Sequence, residues 1–365
     1  MINIVVLPGD GVGPEVTSQA VQCLQVLSDH RGLGLRFTEH DFGGVAIDRH
    51  GDPLPASTLD ACRQAHAILL GAVGGERWDN GPVRPEQGLL RIRRELGLFA
   101  NLRPARVFRG LENVSPIREE TSRDADILIV RELTGGIYFG EQHSTPDRAS
   151  DLCAYGRDEI ERIAHVAFRA AQARRGKLTS VDKANVLATS KLWRRTVTEL
   201  AAQYPGVELD HMYVDACAMA LIIDPRRFDV IVTENLFGDI LSDELSVIGG
   251  SIGLLGSASL GSAGPGLFEP IHGSAPQLAG RDVANPSGAI ASAALMLDQL
   301  DYPEWAAIMR SALEQTLAEG CRTADVGGNA RCSEFGARVR RNLCELLRQH
   351  DARRQVISMT HRCCA

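Results

Sequence analysis

MINIVVLPGDGVGPEVTSQAVQCLQVL, residues 1–27, runs from a short apolar segment through a glycine-rich loop into a stretch of helical period. Ile2–Leu7 has the length and β-branched content of a buried strand, and Pro14 suits the first position of a helix that continues to Leu27. A strand feeding a helix through glycines opens an α/β unit and invites comparison with the dinucleotide fingerprint GxGxxG. The spacing does not match. Gly9-Asp10-Gly11-Val12-Gly13-Pro14 reads GxGxGP, and no clear βαβ unit with an acidic residue ending its second strand follows. The glycines are therefore read as conformational, permitting a tight turn, rather than as a phosphate cradle.

The same alternation continues outward. Ala67–Leu70, Asp126–Val130 and Val230–Thr233 are further buried-strand candidates bounded by turn or polar residues. Ile160, Ile163, Ala164, Ala167, Phe168 and Ala171 fall on one face of an amphipathic helix, and Lys191–Gln203, Ser287–Leu300 and Ser333–Leu347 are further helix candidates. From 249 to 266, GGSIGLLGSASLGSAGPG offers few side chains to anchor a regular element and reads as a long connection crossing between domains.

With 365 residues, 44% hydrophobic and 23% charged, the chain suits one large or two moderate globular domains and excludes a disordered or fibrous one. A net charge of −7 gives no general attraction to a phosphate backbone, so no nucleic-acid partner is expected. No run reaches the ~18 apolar residues of a membrane span, and the amino-terminal residues lack a secretion signal. The cysteines at 23, 62, 153, 217, 321, 332, 344, 363 and 364 form no paired CxxC motifs, which fits a reducing cytoplasm. The adjacent Cys363 and Cys364 are read as part of a frayed end.

Several segments carry chemistry. DVIVTENLFGDILSDEL, residues 229–245, places Asp239 and Asp243 four apart on one helix face after a buried strand, which suits a hard cation such as Mg2+ or Mn2+. Such a pair alone is more often a solvated face. Asp215, in HMYVDACAM, lies among apolar residues where an unpaired carboxylate is costly, so it is expected to need a partner or a metal. Arg93 in GLLRIRREL, Arg103 in FANLRP and Arg131 in DILIVREL are each flanked by residues expected to be buried. Convergent guanidinium groups suggest a di- or tricarboxylate substrate, although a surface ion pair is the default for any one of them. Lys183 in SVDKANV and Tyr138 in TGGIYFG are candidate general base and proton donor.

Taken together, LPGDGVGPEV, LLGAVGG, GLLRIRRELGLFANLRPA, VRELTGGIYFGE, SVDKANVL, YVDACAM, ENLFGDILSDE, FEPIHGSAP and ANPSGAI closely resemble the isocitrate/isopropylmalate dehydrogenase family, in this order and over nearly the whole chain. The resemblance is to the isopropylmalate branch in particular. It implies an α/β fold with a mixed central sheet and two domains, not a Rossmann fold. Residues 1–98 plus 251–365 would form a cofactor-binding domain, and 99–250 a central domain with the metal ligands and the dimer interface. By motif, Arg93, Arg103 and Arg131 would hold the malate carboxylates, Asp215, Asp239 and Asp243 would bind Mg2+ or Mn2+ beside the substrate, and Tyr138 and Lys183 would do acid–base work. In this family sites are shared across a homodimer, Lys183 and Asp215 entering the neighbour's cleft.

The resemblance also implies oxidation at C2 of a malate, loss of the C3 carboxylate as CO2, and protonation at C3. Leu89 and Leu90, with Glu86 on the same helix, favour a branched alkyl group and hence 3-isopropylmalate in leucine biosynthesis; tartrate, homoisocitrate or another 3-substituted malate are the alternatives. A catalytically silent binding protein is the remaining one. NAD is expected along Glu86, His272, Gly273, Ser274, Ala275, Gln277 and Asn285. Two residues depart from the family pattern. Gln277 stands where NAD-using members carry an aspartate, and Arg91 lies beside the leucines, where it is expected to meet solvent or an additional anion. The segment beyond about Leu347 extends past the family's usual end.

Overall fold

Short apolar runs such as Ala67–Ala72 and Val230–Thr233 pair where both of their faces can be covered, and among the described residues there are twelve strands: β1 (Ile2–Gly9), β2 (Leu35–Glu39), β3 (Ala67–Ala72), β4 (Ala100–Arg106), β5 (Asp126–Glu132), β6 (Gln142–Ser144), β7 (Ala149–Asp151), β8 (Lys177–Asp182), β9 (Glu208–Tyr213), β10 (Val230–Thr233), β11 (Gly256–Leu260) and β12 (Gly266–Pro270). The computed structural model describes residues 1–363, with side chains to Ala352, so Cys364 and the side chain of Cys363 lie outside what is described. The seven cysteines whose side chains are described are free thiols.

Ten strands form one sheet in the order β2-β1-β3-β12-β11-β4-β5-β10-β8-β9, while β6 and β7 form a separate, fully exposed hairpin. Pairing is parallel within β2-β1-β3-β12 and within β5-β10-β8-β9, and antiparallel at β12/β11, β11/β4 and β4/β5. The two parallel blocks therefore run in opposite senses, joined by the antiparallel strands β11 and β4. No single-sense Rossmann sheet is present, as the loop spacing predicts. One block is built from the chain ends and the other from residues 126–233.

Each block is covered by the expected helices. Gly13–Arg31, Ser287–Gln299 and Cys332–Cys363 lie together over the first block, and Arg157–Ala173 and Ala188–Ala201 over the second. All six residues of the predicted amphipathic face, from Ile160 to Ala171, are buried. Period two is plain in β5: Ile127 and Ile129 join one apolar cluster, Leu128 and Val130 the other. The last helix continues well past Leu347, and Asp351 fastens it by accepting from His30 (2.9 Å) and from Arg31. Among the described residues, no helix is long and apolar enough to cross a membrane.

The segment 249–266 corrects an expectation. It is not a long connection: it contains a 3-10 turn, Ile252–Leu254, and the buried strand β11 at the centre of the sheet. Its residues are small because the Ser287–Gln299 helix lies directly against it. A Cβ on Gly256 would fall 2.5 Å from the Ser292 nitrogen, and one on Gly288 would fall 2.7 Å from the Leu255 oxygen. Glycine here permits close approach of a helix to a strand rather than freedom.

The opening loop is conformational in the way its spacing suggests. Asp10 accepts hydrogen bonds from the backbone nitrogens of Gly44 (2.8 Å), Val45 (2.9 Å) and Gly74 (3.0 Å), and Val12 donates its N–H to Ser274 O (2.8 Å). Gly11 has φ +58°, and a Cβ there would lie 1.9 Å from Ser274 O. Gly11→Ala is expected to destabilise the fold by about 3 kcal/mol through left-handed strain and backbone displacement. A urea unfolding series with an unchanged m-value checks it.

Candidate active site

Polar side chains collect on one face of the sheet where its sense reverses. Leu267, Ser259, Asn101 and Arg131 are level with one another across β12, β11, β4 and β5, and Glu269 is level with Ser257. Because alternate residues share a face, Glu269, Ser257, Ser259, Asn101, Arg103 and Arg131 all point to the same side. Arg103 and Arg131 are diagonal neighbours there, and Arg93 reaches the same place from the Pro85–Glu95 helix, donating to Glu269 Oε1 at 2.8 Å.

All three arginines are buried, as their apolar flanks predict. Burial pushes the Arg103 guanidinium down to about 10, with Arg131 and then Arg93 adding repulsion, so it stays charged at neutral pH but is poorly solvated. Its Nε donates to Asn101 Oδ1 (2.7 Å) and its Nη1 to Ser242 Oγ (2.5 Å). The same Nη1 lies 3.6 Å from both Asp239 Oδ1 and Asp243 Oδ1, bridging the two carboxylates. Arg131 Nη1 donates to Asp239 Oδ1 at 2.5 Å, and Tyr138 Oη donates to Asp239 Oδ2 at 3.0 Å.

Asp239 and Asp243 project from the Asn235–Ile248 helix, as the i,i+4 spacing implies, with side chains 37% and 60% exposed. Burial alone would raise the Asp239 carboxyl, but Arg131 and Arg103 together hold it below its ordinary value. Asp243 goes the other way, raised by burial and by Asp239 despite Arg103. Burial and then Asp239 raise the Tyr138 hydroxyl, which keeps it protonated. Two hard oxygen donors, partly open and already facing cations, fit a divalent ion. Among the described residues, no group of three acidic, His or Cys side chains could hold one, so a single chain does not assemble the three expected carboxylates.

Asp215 has the partner its apolar setting calls for, Lys183, but it is not buried. Its side chain is 63% exposed and accepts from Lys183 Nζ, a hydrogen bond that holds the carboxyl below its usual range. Among its apolar neighbours Met219 is exposed, Met212, Val214 and Ala216 are half-buried, and Cys217 is buried. The Val214–Ile223 helix is apolar on every side, and Met219, Ile222 and Ile223 face outward together with Ile240 and Val247 of the adjoining helix. Val186 and Tyr213, beside Lys183 and Asp215, are also exposed. The pair thus lies at the rim of an uncovered apolar surface rather than in a core.

Several of the expected cofactor residues lie near one another. A Cβ on Gly74 would lie 2.7 Å from Glu86 Oε1 and 3.9 Å from Ser274 Oγ, which places Glu86 beside the 272–275 loop. His272 Nδ1 is hydrogen-bonded to Gly273 O (2.9 Å), while the buried Nε2 has no partner. Burial lowers the pKa of this imidazole. Ala275 is held at φ +39°, Gln277 is exposed, and Asn285 donates to Asp325 Oδ2 (3.0 Å). An orphaned buried imidazole nitrogen beside an exposed loop fits a ligand with hydrogen-bonding edges such as a dinucleotide. Leu90 lines an open pocket with Val83, Tyr138 and Phe139, whereas Leu89 is half-buried against the apolar cluster of Val5, Leu7 and Ile92.

Sequence reading passed over Glu269, Ser242, Asn101 and Asn235, which hold the arginines. The signal was available for Glu269: a carboxylate in the apolar run GLFEP needs a buried cation, and only a few arginines have apolar flanks.

A sequence model of the isocitrate/isopropylmalate dehydrogenase family matches residues 3–339. The 3-isopropylmalate dehydrogenase of Staphylococcus saprophyticus is 55% identical over 343 residues, covering 93% of this chain and 99% of the relative. That of Staphylococcus aureus is 52% identical over 335 residues, covering 91% and 96%. Among solved structures, isocitrate dehydrogenase from Methylococcus capsulatus superposes with a TM-score of 0.85 at 34% identity, covering 94% of this chain and 99% of its own. A β-decarboxylating dehydrogenase from Thermococcus kodakarensis gives 0.82 at 37% identity, covering 96% and 98%.

Arg91, expected to meet solvent or an additional anion, is already engaged. Its Nη2 donates to Asp52 at 2.9 and 3.0 Å and to Leu54 O, tying the Pro85–Glu95 helix to the loop below it. With its charge matched internally, Arg91 does not read a second ligand carboxylate. Arg91→Ala is therefore expected to lower the melting temperature by a few degrees, the scale of a loss of about 1 kcal/mol. Relative kcat/KM across a panel of substituted malates should shift by less than about threefold, or less than 1 kcal/mol.

Proposed function

The chain belongs to the isocitrate/isopropylmalate dehydrogenase family, and from that premise we propose that it oxidises (2R,3S)-3-isopropylmalate with NAD and a divalent cation, yielding 4-methyl-2-oxopentanoate and CO2 in leucine biosynthesis. The observation that carries this reading is the bridging of Asp239 and Asp243 by Arg103, with Arg131 and Tyr138 on the same carboxylate. Guanidinium groups that can bind a dicarboxylate thus touch the oxygen donors that can bind a cation.

In this reading Arg93, Arg103 and Arg131 orient the two malate carboxylates. As the substrate's oxygens draw guanidinium edges toward themselves, Asp239 and Asp243 are released to serve, with Asp215 of a second copy, as cation ligands. When bound, the divalent cation, Mg2+ or Mn2+, supplies Lewis-acid stabilisation of the oxyanion developing at C2, and the nicotinamide supplies the hydride acceptor. Lys183 of the second copy takes the C2 hydroxyl proton. Loss of the carboxylate from C3 leaves a carbanion equivalent that Tyr138 protonates, its hydroxyl being kept as a donor by burial and by Asp239.

Leu90, with Leu89 behind it, supplies an apolar wall for the branched alkyl group. At this wall Arg91 is paired with Asp52, so its guanidinium is not offered to an additional substrate carboxylate. NAD would be held along Glu86, His272–Ala275, Gln277 and Asn285; the neutral Gln277 would offer a hydrogen bond to a ribose hydroxyl without the charge that would repel a 2′-phosphate. The homodimer rests on the exposed apolar side chains of the Val214–Ile223 and Asn235–Ile248 helices, with Lys183 and Asp215 at their edge.

Turnover with purified enzyme, NAD and Mg2+ should favour 3-isopropylmalate over malate, isocitrate, tartrate and homoisocitrate by tenfold or more in kcat/KM, and equal or better turnover of any of these rejects the assignment. Sharing of sites has its own test. Lys183→Ala and Asp239→Asn should each be inactive as homodimers. Mixing equal amounts under subunit exchange should restore roughly a quarter of wild-type activity, since half the dimers are mixed and each of those carries one intact site. No recovery would place Lys183 in its own chain's site.

A further inference from the structure

Arg131 is gripped along the edge that faces away from Asp239. Its Nε and Nη2 both donate to Asn235 Oδ1, at 3.1 and 2.8 Å, which leaves Nη1 directed at Asp239. Asn235 is 1% exposed and every polar atom it presents is fixed. Its Nδ2 donates to Gly135 O (3.1 Å), and its backbone N–H donates to Tyr155 Oη (3.0 Å). The Gly135 turn is itself held, since Glu132 accepts from the Gly135 nitrogen at 2.7 Å. On the flank of Arg131 a Cβ at Gly238 would lie 2.6 Å from its Cγ, so the helix backbone walls in the arginine's stem.

We propose that Asn235 is a positioning residue for the substrate: it holds the Arg131 guanidinium in the one plane that presents Nη1 to the candidate carboxylate site. This rests on reading Arg131 as a carboxylate-binding group. The amide is suited to the task because it accepts from Arg131 on one side and donates to Gly135 O on the other. A carboxylate in its place would set an oxygen against Gly135 O and neutralise the guanidinium; a methyl group would leave the planar fork free to turn.

The test separates positioning from folding. Binding of 3-isopropylmalate with Mg2+ is measured by calorimetry, and binding of NADH, which in the proposed function uses other residues, by fluorescence. Asn235→Ala and the near-isosteric Asn235→Asp should each raise the Kd for 3-isopropylmalate at least tenfold while the Kd for NADH changes less than twofold. In an Arg131→Lys background, where the guanidinium edge is gone, Asn235→Ala should add less than twofold. Unchanged substrate affinity in both Asn235 variants, a parallel loss of NADH and substrate affinity, or a penalty that persists in full in the Arg131→Lys background would each overturn the proposal. If wild-type protein binds NADH but not 3-isopropylmalate, the substrate reading fails by itself, and the same variants are titrated with whichever of malate, isocitrate or tartrate it does bind.

Discussion

A guanidinium removed from water must be paired, and at the centre of this sheet three of them are removed together. Arg93, Arg103 and Arg131 repel one another, burial weakens their solvation, and the surrounding structure answers that cost. Glu269 is brought in on β12, Asn101 on β4, and Asn235, Ser242, Asp239 and Asp243 on one helix. The reversal of strand sense at β11 and β4 makes this possible, because it brings elements from both parallel blocks to one polar face. The helix from Asn235 has to run close beside Arg131, and Gly238 lets it do so.

The same economy of space governs the cofactor side. The glycines between β1 and its helix let backbone pass within hydrogen-bonding distance of backbone, so that Val12 can hold Ser274 and Asp10 can hold Gly44, Val45 and Gly74. Asp10 does for this loop what Asn235 does for Arg131. A fully engaged side chain, buried and silent in the chemistry, fixes the direction of a neighbour that faces a ligand.

Much of this was legible in the sequence, for identifiable reasons. Helix faces such as Ile160–Ala171 and strands such as Val230–Thr233 are set by periodicity and length, which are local. The arginines stood out because apolar flanks make a charge conspicuous. What stayed hidden depended on partners distant along the chain. The stretch 249–266 looked structureless because its side chains are missing, whereas they are missing to admit a helix that comes more than thirty residues later. Asp215 looked buried because its neighbours are apolar, yet its own side chain opens to solvent beside an exposed apolar surface. Arg91 looked like a second anion site until Asp52 was found beneath it. Asn235 carries no charge and no periodic signal, so nothing local distinguishes it from any other asparagine.

The order in which the strands are made differs sharply from the order in which they lie. β3 is complete at Ala72, but β12, which pairs with it, does not begin until Gly266; β4 is complete at Arg106 and waits for β11 at Gly256. During synthesis both strands have one unpaired edge while more than a hundred further residues are added, and such edges are sites of misassociation. The late, glycine-rich pair closes them both, so the last part of the sheet to leave the ribosome is its middle. A growing chain of this topology is therefore most exposed to misassociation just before the central strands appear.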